Sequence, residues 1–266
     1  MAPEAIRLPS VAEIEAATDV ISTLDISTKI VRVNEHFAVK SGYLFIAANS
    51  KFSVPKVHAT FTQPDTRTAY IIMEYLPGDT LQKLLPSLNP VEKAKISNLI
   101  KDAITELRGI PPSNYLGMLN RQPYLDEVFW TEGLNPKISG PFADQGEMNV
   151  SILERLRKTE SEHYIRLLQN MVDRTLHSHS TVFTHGDLQP KNIMVERLGD
   201  RDGSPEFKIT LLDWEGAGWY PEFWDFCNAT IACRFKPDWL EPVPDILDQY
   251  PMEFLMMQVG YSSLFS

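Results

Sequence analysis

Cysteine is scarce in this chain of 266 residues: Cys227 and Cys233 are the only two, six apart in one late segment. That spacing matches no common zinc or redox motif, and two thiols make no disulfide framework, so buried, reduced cysteines are expected. Long hydrophobic runs are missing too. No apolar stretch approaches the ~20 residues needed to cross a bilayer, and the opening M-A-P-E-A-I-R-L-P-S lacks the basic start and apolar centre of a secretory signal. The expectation is a cytoplasmic protein with no membrane partner. Positive charge is in short supply: 25 basic against 35 acidic residues leave a net charge of −10. This argues against nucleic acid, whose binding is dominated by cationic contacts to phosphate. There are no internal repeats or low-complexity segments. Hydrophobic residues at 43% and charged residues at 23% are ordinary for a globular protein, and the length allows one large domain or two lobes.

Two stretches carry chemistry. Residues 182–195 read V-F-T-H-G-D-L-Q-P-K-N-I-M-V, and residues 211–215 read L-L-D-W-E. Each places acidic or amide side chains on a short turn at the end of an apolar, strand-like run, which holds a functional group still. Asp187 and Asn192 stand five apart with Pro190 between them, and Asp213 directly follows the run Ile209 to Leu212. One carboxylate able to accept a proton, plus one amide and one carboxylate able to hold Mg2+, is the minimal set for moving a phosphoryl group from ATP.

Residues 10–24 place acidic and apolar positions at helical spacing, predicting a short leading helix. Ile30–Val33 and Phe37–Lys40 read as a hairpin turning at Asn34-Glu35, and Lys56–Phe61 with Ala69–Tyr75 as a second. Pro77 and Gly78 end that last strand. The clearest helix follows: Asn89 caps, Pro90 suits the first position, Glu92 completes a capping box, and Ile96, Leu99, Ile100, Ala103, Ile104 and Leu107 make one stripe. Residues 110–147 read as loops with short helices. A second helical tract covers about 150–177, broken near Thr159. A strand pair is expected at 192–196 and 207–212, joined by the solvated loop L-G-D-R-D-G-S-P-E. His177 and His179 are expected to face solvent or cap, and no zinc site is seen.

H-G-D-L-x-x-x-N followed about twenty residues later by D-W-E resembles the aminoglycoside phosphotransferase and choline kinase family, relatives of the protein kinases, with a G-P-F at 140–142 similar to that of fungal-type members. The likeness spans roughly residues 30–230. It implies an α+β, bilobal protein-kinase-like fold, with a small strand-rich N-terminal lobe over 1–76 and a larger, mainly helical C-terminal lobe over 77–266. It also implies the chemistry of an ATP-dependent phosphotransferase acting on a hydroxyl of a small molecule. By position in the family pattern, Asp187 is the catalytic base, while Asn192 and Asp213 hold Mg2+. Lys40 contacts the inner phosphates, and Glu74, Tyr75 and Leu76 form the adenine-binding hinge within 73–78. His185 braces the loop, Asp225 anchors it, and the G-P-F lies near the acceptor site. Trp214, Trp219 and Trp224 partly wall the pocket and partly pack the lobe. Trp219, Tyr220, Glu222 and Trp224 suit a cationic amino alcohol as acceptor.

The chain departs from the kinase pattern in three places. No G-x-G-x-x-G covers the phosphates. Gln189 stands where protein kinases carry a lysine, with Lys191 two further on, which points to a small-molecule acceptor. Finally, no glutamate occurs between Lys40 and Glu74 to pair with the lysine. Y-L-F-I-A-A-N resembles only the latter half of the helix that carries that glutamate in relatives, about a dozen residues short. This absence favours an alternative: a catalytically impaired, nucleotide-binding pseudokinase acting through partners.

Overall fold

A computed structural model describes residues 19–23, 29–32, 37–38, 43–52, 54–62, 69–232 and 236–264. The N-terminal part is strand-rich. β1 (Asp19–Thr23) pairs antiparallel with β2 (Lys29–Arg32), while β3 (Phe37–Ala38) pairs with the later strand β5 (Ala69–Glu74) in the order β3-β5-β4. Two expectations change here. The leading helix gives way at 19–23 to a strand, because D-V-I-S-T is rich in β-branched residues that favour a pleated backbone. Among the described residues β2 pairs locally with β1 and β3 pairs with the distant β5, in place of the expected β2–β3 hairpin, since strands choose partners by tertiary context. Lys40 lies outside the described residues.

The second hairpin is present: β4 (Val57–Thr62) runs antiparallel to β5. Before it comes α1 (Tyr43–Asn49), only seven residues long and with no acidic residue in its first turn. Phe45 from this helix stacks on Phe183 at 5.3 Å and meets Trp219 edge-on at 5.8 Å. The helix is therefore seated by aromatic packing against the C-terminal part.

Beyond β5 the chain crosses into β6 (Asp79–Thr80), α2 (Leu81–Leu84) and α3 (Pro90–Arg108). Asn89 accepts from the N–H groups of Val91 and Glu92, and the Glu92 carboxylate accepts the Asn89 N–H at 3.1 Å, completing the capping box. After β7 (Gly117–Met118) and α4 (Pro136–Ser139), the second helical tract is split into α5 (Gln145–Leu156) and α6 (Glu162–Thr175), with the break at Thr159 as expected.

β8 (Thr181–Thr184) leads into the H-G-D-L turn. The following pair, β9 (Ile193–Arg201) and β10 (Ser204–Leu211), is longer than its sequence pattern suggests. Asp202 and Gly203 both take positive φ, 51° and 76°, so this D-G dipeptide is a tight two-residue hairpin turn and most of the expected loop is strand. β11 (Gly218–Pro221) pairs with both β7 and β8. The chain closes with α7 (Trp224–Ile231), α8 (Pro237–Leu240), α9 (Val243–Ile246) and α10 (Pro251–Leu264). One apolar core runs beneath these helices, and no described helix is long and apolar enough to cross a membrane.

Candidate active site

His185 sets the turn after β8. Its Nε2 lies 2.8 Å from the Leu212 carbonyl, which can only accept, so Nε2 carries the proton. Nδ1 then accepts the Asp187 N–H at 3.2 Å. The fully buried ring thus ties the Asp187 turn to the backbone just before Asp213. A second tie runs the same way: the Leu212 N–H donates to the Asn192 carbonyl at 2.8 Å. Asp225 is buried beneath the turn and accepts the backbone N–H groups of Gly186 and His185. Burial pushes its carboxyl pKa up, against the pull of Arg108 and those two N–H groups.

Gly186 explains how closely the two loops approach. Its φ is +82°, and a Cβ there would sit 2.3 Å from the Gly216 carbonyl oxygen. Only glycine combines that backbone with that contact. Gly78 does similar work at the end of the expected hinge, where φ is +97° and a Cβ would meet the Val195 carbonyl at 2.1 Å. β6 then pairs with β9, Asp79 opposite Val195 and Thr80 opposite Met194. The segment that follows Glu74, Tyr75 and Leu76 is thereby hydrogen-bonded to the strand that leaves Asn192. Glu74 itself is exposed. Its N–H donates to the Lys56 carbonyl at 2.8 Å and its carboxylate accepts the Lys56 N–H at 3.3 Å.

Asp187 is held from several sides. Asn192 Nδ2 donates to its carboxylate at 2.8 Å and to its backbone carbonyl at 2.9 Å. Gln189 Nε2 donates to the other carboxylate oxygen, and Lys191 Nζ lies 3.5 Å away. Asn192 is fully buried, yet its Oδ1 has no hydrogen-bond partner, and Asp213 is 4% exposed with a left-handed backbone, φ 65°. An orphaned amide oxygen and a buried carboxylate are the hard oxygen donors that Mg2+ takes. No cluster of three or more His, Cys, Asp or Glu fit for a metal occurs among the described residues. Two donors suffice where substrate phosphates and water complete the shell.

Asp187 opens onto a cavity of about 670 Å3. Its lining joins the turn to residues far away in sequence: Asp126 and Glu127 from the loop after β7, Asn228 from α7, and Gln258 and Tyr261 from α10. The Tyr261 O–H lies 2.7 Å from each Asp126 carboxylate oxygen, and the Val128 N–H donates to Asp126 at 3.0 Å. Burial foremost, with the charges of Glu127 and Asp187, pushes the Asp126 carboxyl up to about 6 against those hydrogen bonds. Sequence reading missed Asp126, Asn228, Gln258 and Tyr261. None lies in a local motif.

Several expected wall residues turn inward instead. Trp214 and Trp224 are 1% exposed, and the Trp219 indole donates to the Pro111 carbonyl at 3.1 Å. Of that segment's aromatic residues, Tyr220 alone lines the cavity. Glu222 accepts the Ser180 N–H at 3.2 Å rather than facing it. Phe142 of the G-P-F packs on Tyr124 and Phe129, beneath the cavity rather than in its lining. His179 is no solvent-facing residue. Its Nε2 meets the Glu253 carboxylate at 3.0 Å and its Nδ1 meets Gln145 Nε2 at 3.0 Å, tying α5 to α10.

The sequence profile of the APH family, described as "Phosphotransferase enzyme family", matches residues 43–256. The chain belongs to this phosphotransferase family. Among solved structures it resembles the GDP complex of an aminoglycoside 2'-phosphotransferase-IIIa, with a TM-score of 0.57 at 12% identity over 94% of this chain and 85% of that one. The GDP and kanamycin complex of an APH(2") enzyme gives 0.56 at 12% identity, covering 94% and 86%. The streptomycin–ATP complex of APH(2")-IIa gives 0.54 at 14% identity, covering 98% and 89%. At these identities the likeness establishes the fold, an α+β kinase-like phosphotransferase fold with a small strand-rich part and a larger helical part. No curated protein matches the sequence.

Proposed function

We propose that the chain is an ATP-dependent phosphotransferase that moves the γ-phosphoryl group onto a hydroxyl of a small molecule, with Asp187 as the base. The observation that carries this reading is the Asp187–Asn192 arrangement: a carboxylate fixed by its neighbour's amide at the mouth of the 670 Å3 cavity. A cavity of that size suits a small molecule rather than a protein substrate.

In this reading the acceptor hydroxyl lies in the cavity against Asp187. Its oxygen attacks the γ-phosphorus as its proton passes to the Asp187 carboxylate; the new O–P bond forms as the bond to the ADP oxygen breaks. Lys191 and Gln189 keep the carboxylate aimed. Asn192 Oδ1 and Asp213 would hold Mg2+, which when bound neutralises charge on the phosphates. Glu74, Tyr75 and Leu76 would present backbone groups to the adenine, and Lys40 is assigned to the inner phosphates, both by their place in the sequence pattern. These assignments treat residues 1–76 and 77–266 as the two lobes.

The solved relatives named above carry GDP, ATP, kanamycin and streptomycin, which makes purine nucleotides and cationic aminocyclitols the first reagents to try. The test incubates the protein with Mg2+, radiolabelled ATP or GTP and a panel of small alcohols and aminocyclitols, and follows the phosphomonoester. Transfer abolished by Asp187→Asn supports the reading. Nucleotide binding with neither transfer nor hydrolysis would instead favour an impaired pseudokinase acting through partners. One observation favours that second reading: the short α1 carries no acidic residue in its first turn to orient a strand lysine.

A further inference from the structure

Arg108 ends α3 with its side chain only 17% exposed. One terminal nitrogen donates to the Glu222 carbonyl at 3.0 Å, the other to Asp248 at 3.2 Å, and Nε is buried with no hydrogen-bond partner. Asp248 is 78% exposed, so that pair is screened by solvent and contributes little. The bond to Glu222 says more about position. Glu222 lies three residues before Asp225, and α3 also packs on β8, the strand that runs into the His185 turn.

Asp225 shows the matching deficit. Its carboxyl accepts the N–H groups of His185 and Gly186, but its Oδ1 is buried with no partner. Of the groups that face it, His185 is neutral, its Nε2 proton given to Leu212, and Tyr220 gives its O–H to the Gly216 carbonyl at 2.7 Å. Arg108 is the cation among them. Against burial, which raises the Asp225 carboxyl, its charge pulls harder than either N–H group does. A buried N–H without an acceptor and a buried carboxyl oxygen without a donor each cost stability alone. One internal water that accepts from Arg108 Nε and donates to Asp225 Oδ1 satisfies both. The charge matters for the turn as well. An ionised carboxyl only accepts, whereas a protonated one turns an oxygen into a donor and holds two N–H groups less firmly.

We propose that Arg108 is a positioning residue for the Asp187 turn: through an internal water it sets its charge against Asp225 and keeps that carboxylate holding the His185 and Gly186 N–H groups. This deepens the phosphotransferase reading and rests on it for the effect on rate alone. Arg108 does not line the cavity. It acts through Asp225 on the backbone that carries Asp187.

The test compares the parent with Arg108→Gln, which can still donate to Glu222 but carries no charge, and with Arg108→Lys, which keeps the charge. The first readout is melting temperature between about pH 5 and about pH 8. Folding raises the Asp225 carboxyl, so its ionisation with rising pH destabilises the fold, and the Arg108 charge relieves that cost. Arg108→Gln should therefore fall further behind the parent as pH rises, by about 2–4 °C more at the upper end than at the lower. Arg108→Lys should stay close to the parent. Adding Asp225→Asn, which leaves no carboxyl to titrate, should remove the pH-dependent gap.

The second readout is kinetic, on the best acceptor of the panel or on nucleotide hydrolysis. Arg108→Gln should lower kcat about 10-fold with KM and nucleotide affinity kept, because the turn and not the binding surface is loosened. Arg108→Lys should recover most of that loss. A melting gap equal at every pH, or one that persists beside Asp225→Asn, makes Arg108 a structural contact and overturns the inference. An unchanged kcat in Arg108→Gln, or losses as large in Arg108→Lys, overturns it too. The melting comparison needs no turnover: with the expected gap and no transfer or hydrolysis in the parent, the phosphotransferase reading falls alone.

Discussion

The Asn192 side-chain amide donates to both the backbone carbonyl and the carboxylate of Asp187, at 2.9 and 2.8 Å, while its own Oδ1 is buried with no partner. One residue thereby does two jobs with its two ends. The amide nitrogen holds the proposed base, and the oxygen finds no partner within the fold, which is why it is proposed as a Mg2+ donor.

The first expectation concerns that base. Asp187→Asn keeps the shape of the turn but cannot take a proton, so turnover should fall by about 10²–10⁴ with nucleotide affinity largely kept. Steady-state kinetics beside a nucleotide titration separates the two effects; full turnover in the variant removes Asp187 from the mechanism.

Asn192→Asp would set a carboxylate against a carboxylate in place of a hydrogen bond. The pair then shares protons, and the acidic limb of the rate profile should move to higher pH. Measuring rate against pH at saturating Mg2+ tests this; an unmoved profile would mean that Asn192 does not aim Asp187 in solution.

Asp126 makes stability depend on pH. Folding lifts its carboxyl from 3.8 to about 6, so the folded protein prefers the protonated form. That contribution is complete below about pH 4 and is lost as pH rises through about 6. Asp126→Asn should therefore match the parent near pH 4 and melt higher near pH 8. Parallel melting curves across that range would show that the carboxyl is not displaced.

Gly186→Ala combines a left-handed backbone with a clash against Gly216. The strain should cost about 1–3 kcal/mol or more, and each kcal/mol lowers the melting temperature by about 2–4 °C in a protein of this size. Circular dichroism melts read the loss, and an unaffected melt would mean that the two loops are not in contact.

For Lys40 the expectation comes from an absence. No glutamate occurs between Lys40 and Glu74 in the sequence, so the proposed phosphate contact of Lys40 has no helix glutamate to aim it. Misplacement by about 1 Å can cost about 10²-fold in rate, so on this reading removing the lysine costs little more. Lys40→Ala should then lower turnover much less than Asp187→Asn does. Equal losses would mean that another carboxylate orients it.

Asp187, Asn192 and Asp213 are legible in the sequence because each sits within a few residues of a strand end, and a short turn links sequence spacing directly to spatial position. α3 is legible for a similar reason: its cap, its first-turn proline and its apolar stripe are all local. The D-G hairpin turn is local too, but the polar residues around it resemble a loop, and only the pairing of β9 with β10 turns them into strand. Pairing also decides the N-terminal strands, where D-V-I-S-T at 19–23 finds β2 and leaves β3 to β5.

The chain alone therefore determined the kinase-like order of elements and the turn proposed to perform chemistry, since hydrogen-bonded turns and amphipathic helices are built from neighbours in sequence. It could not place Asp126, Asn228, Gln258 and Tyr261 around one cavity. Their meeting depends on α7 and α10 packing beside the loop after β7, and Tyr261 reaches Asp126 across 135 residues. Burial then set their character: it raised the Asp126 carboxyl and left the Asn228 and Gln258 side-chain oxygens without donors, just as it turned Trp214 and Trp224 inward. Burial is a property of the packed whole, and no stretch of sequence carries it.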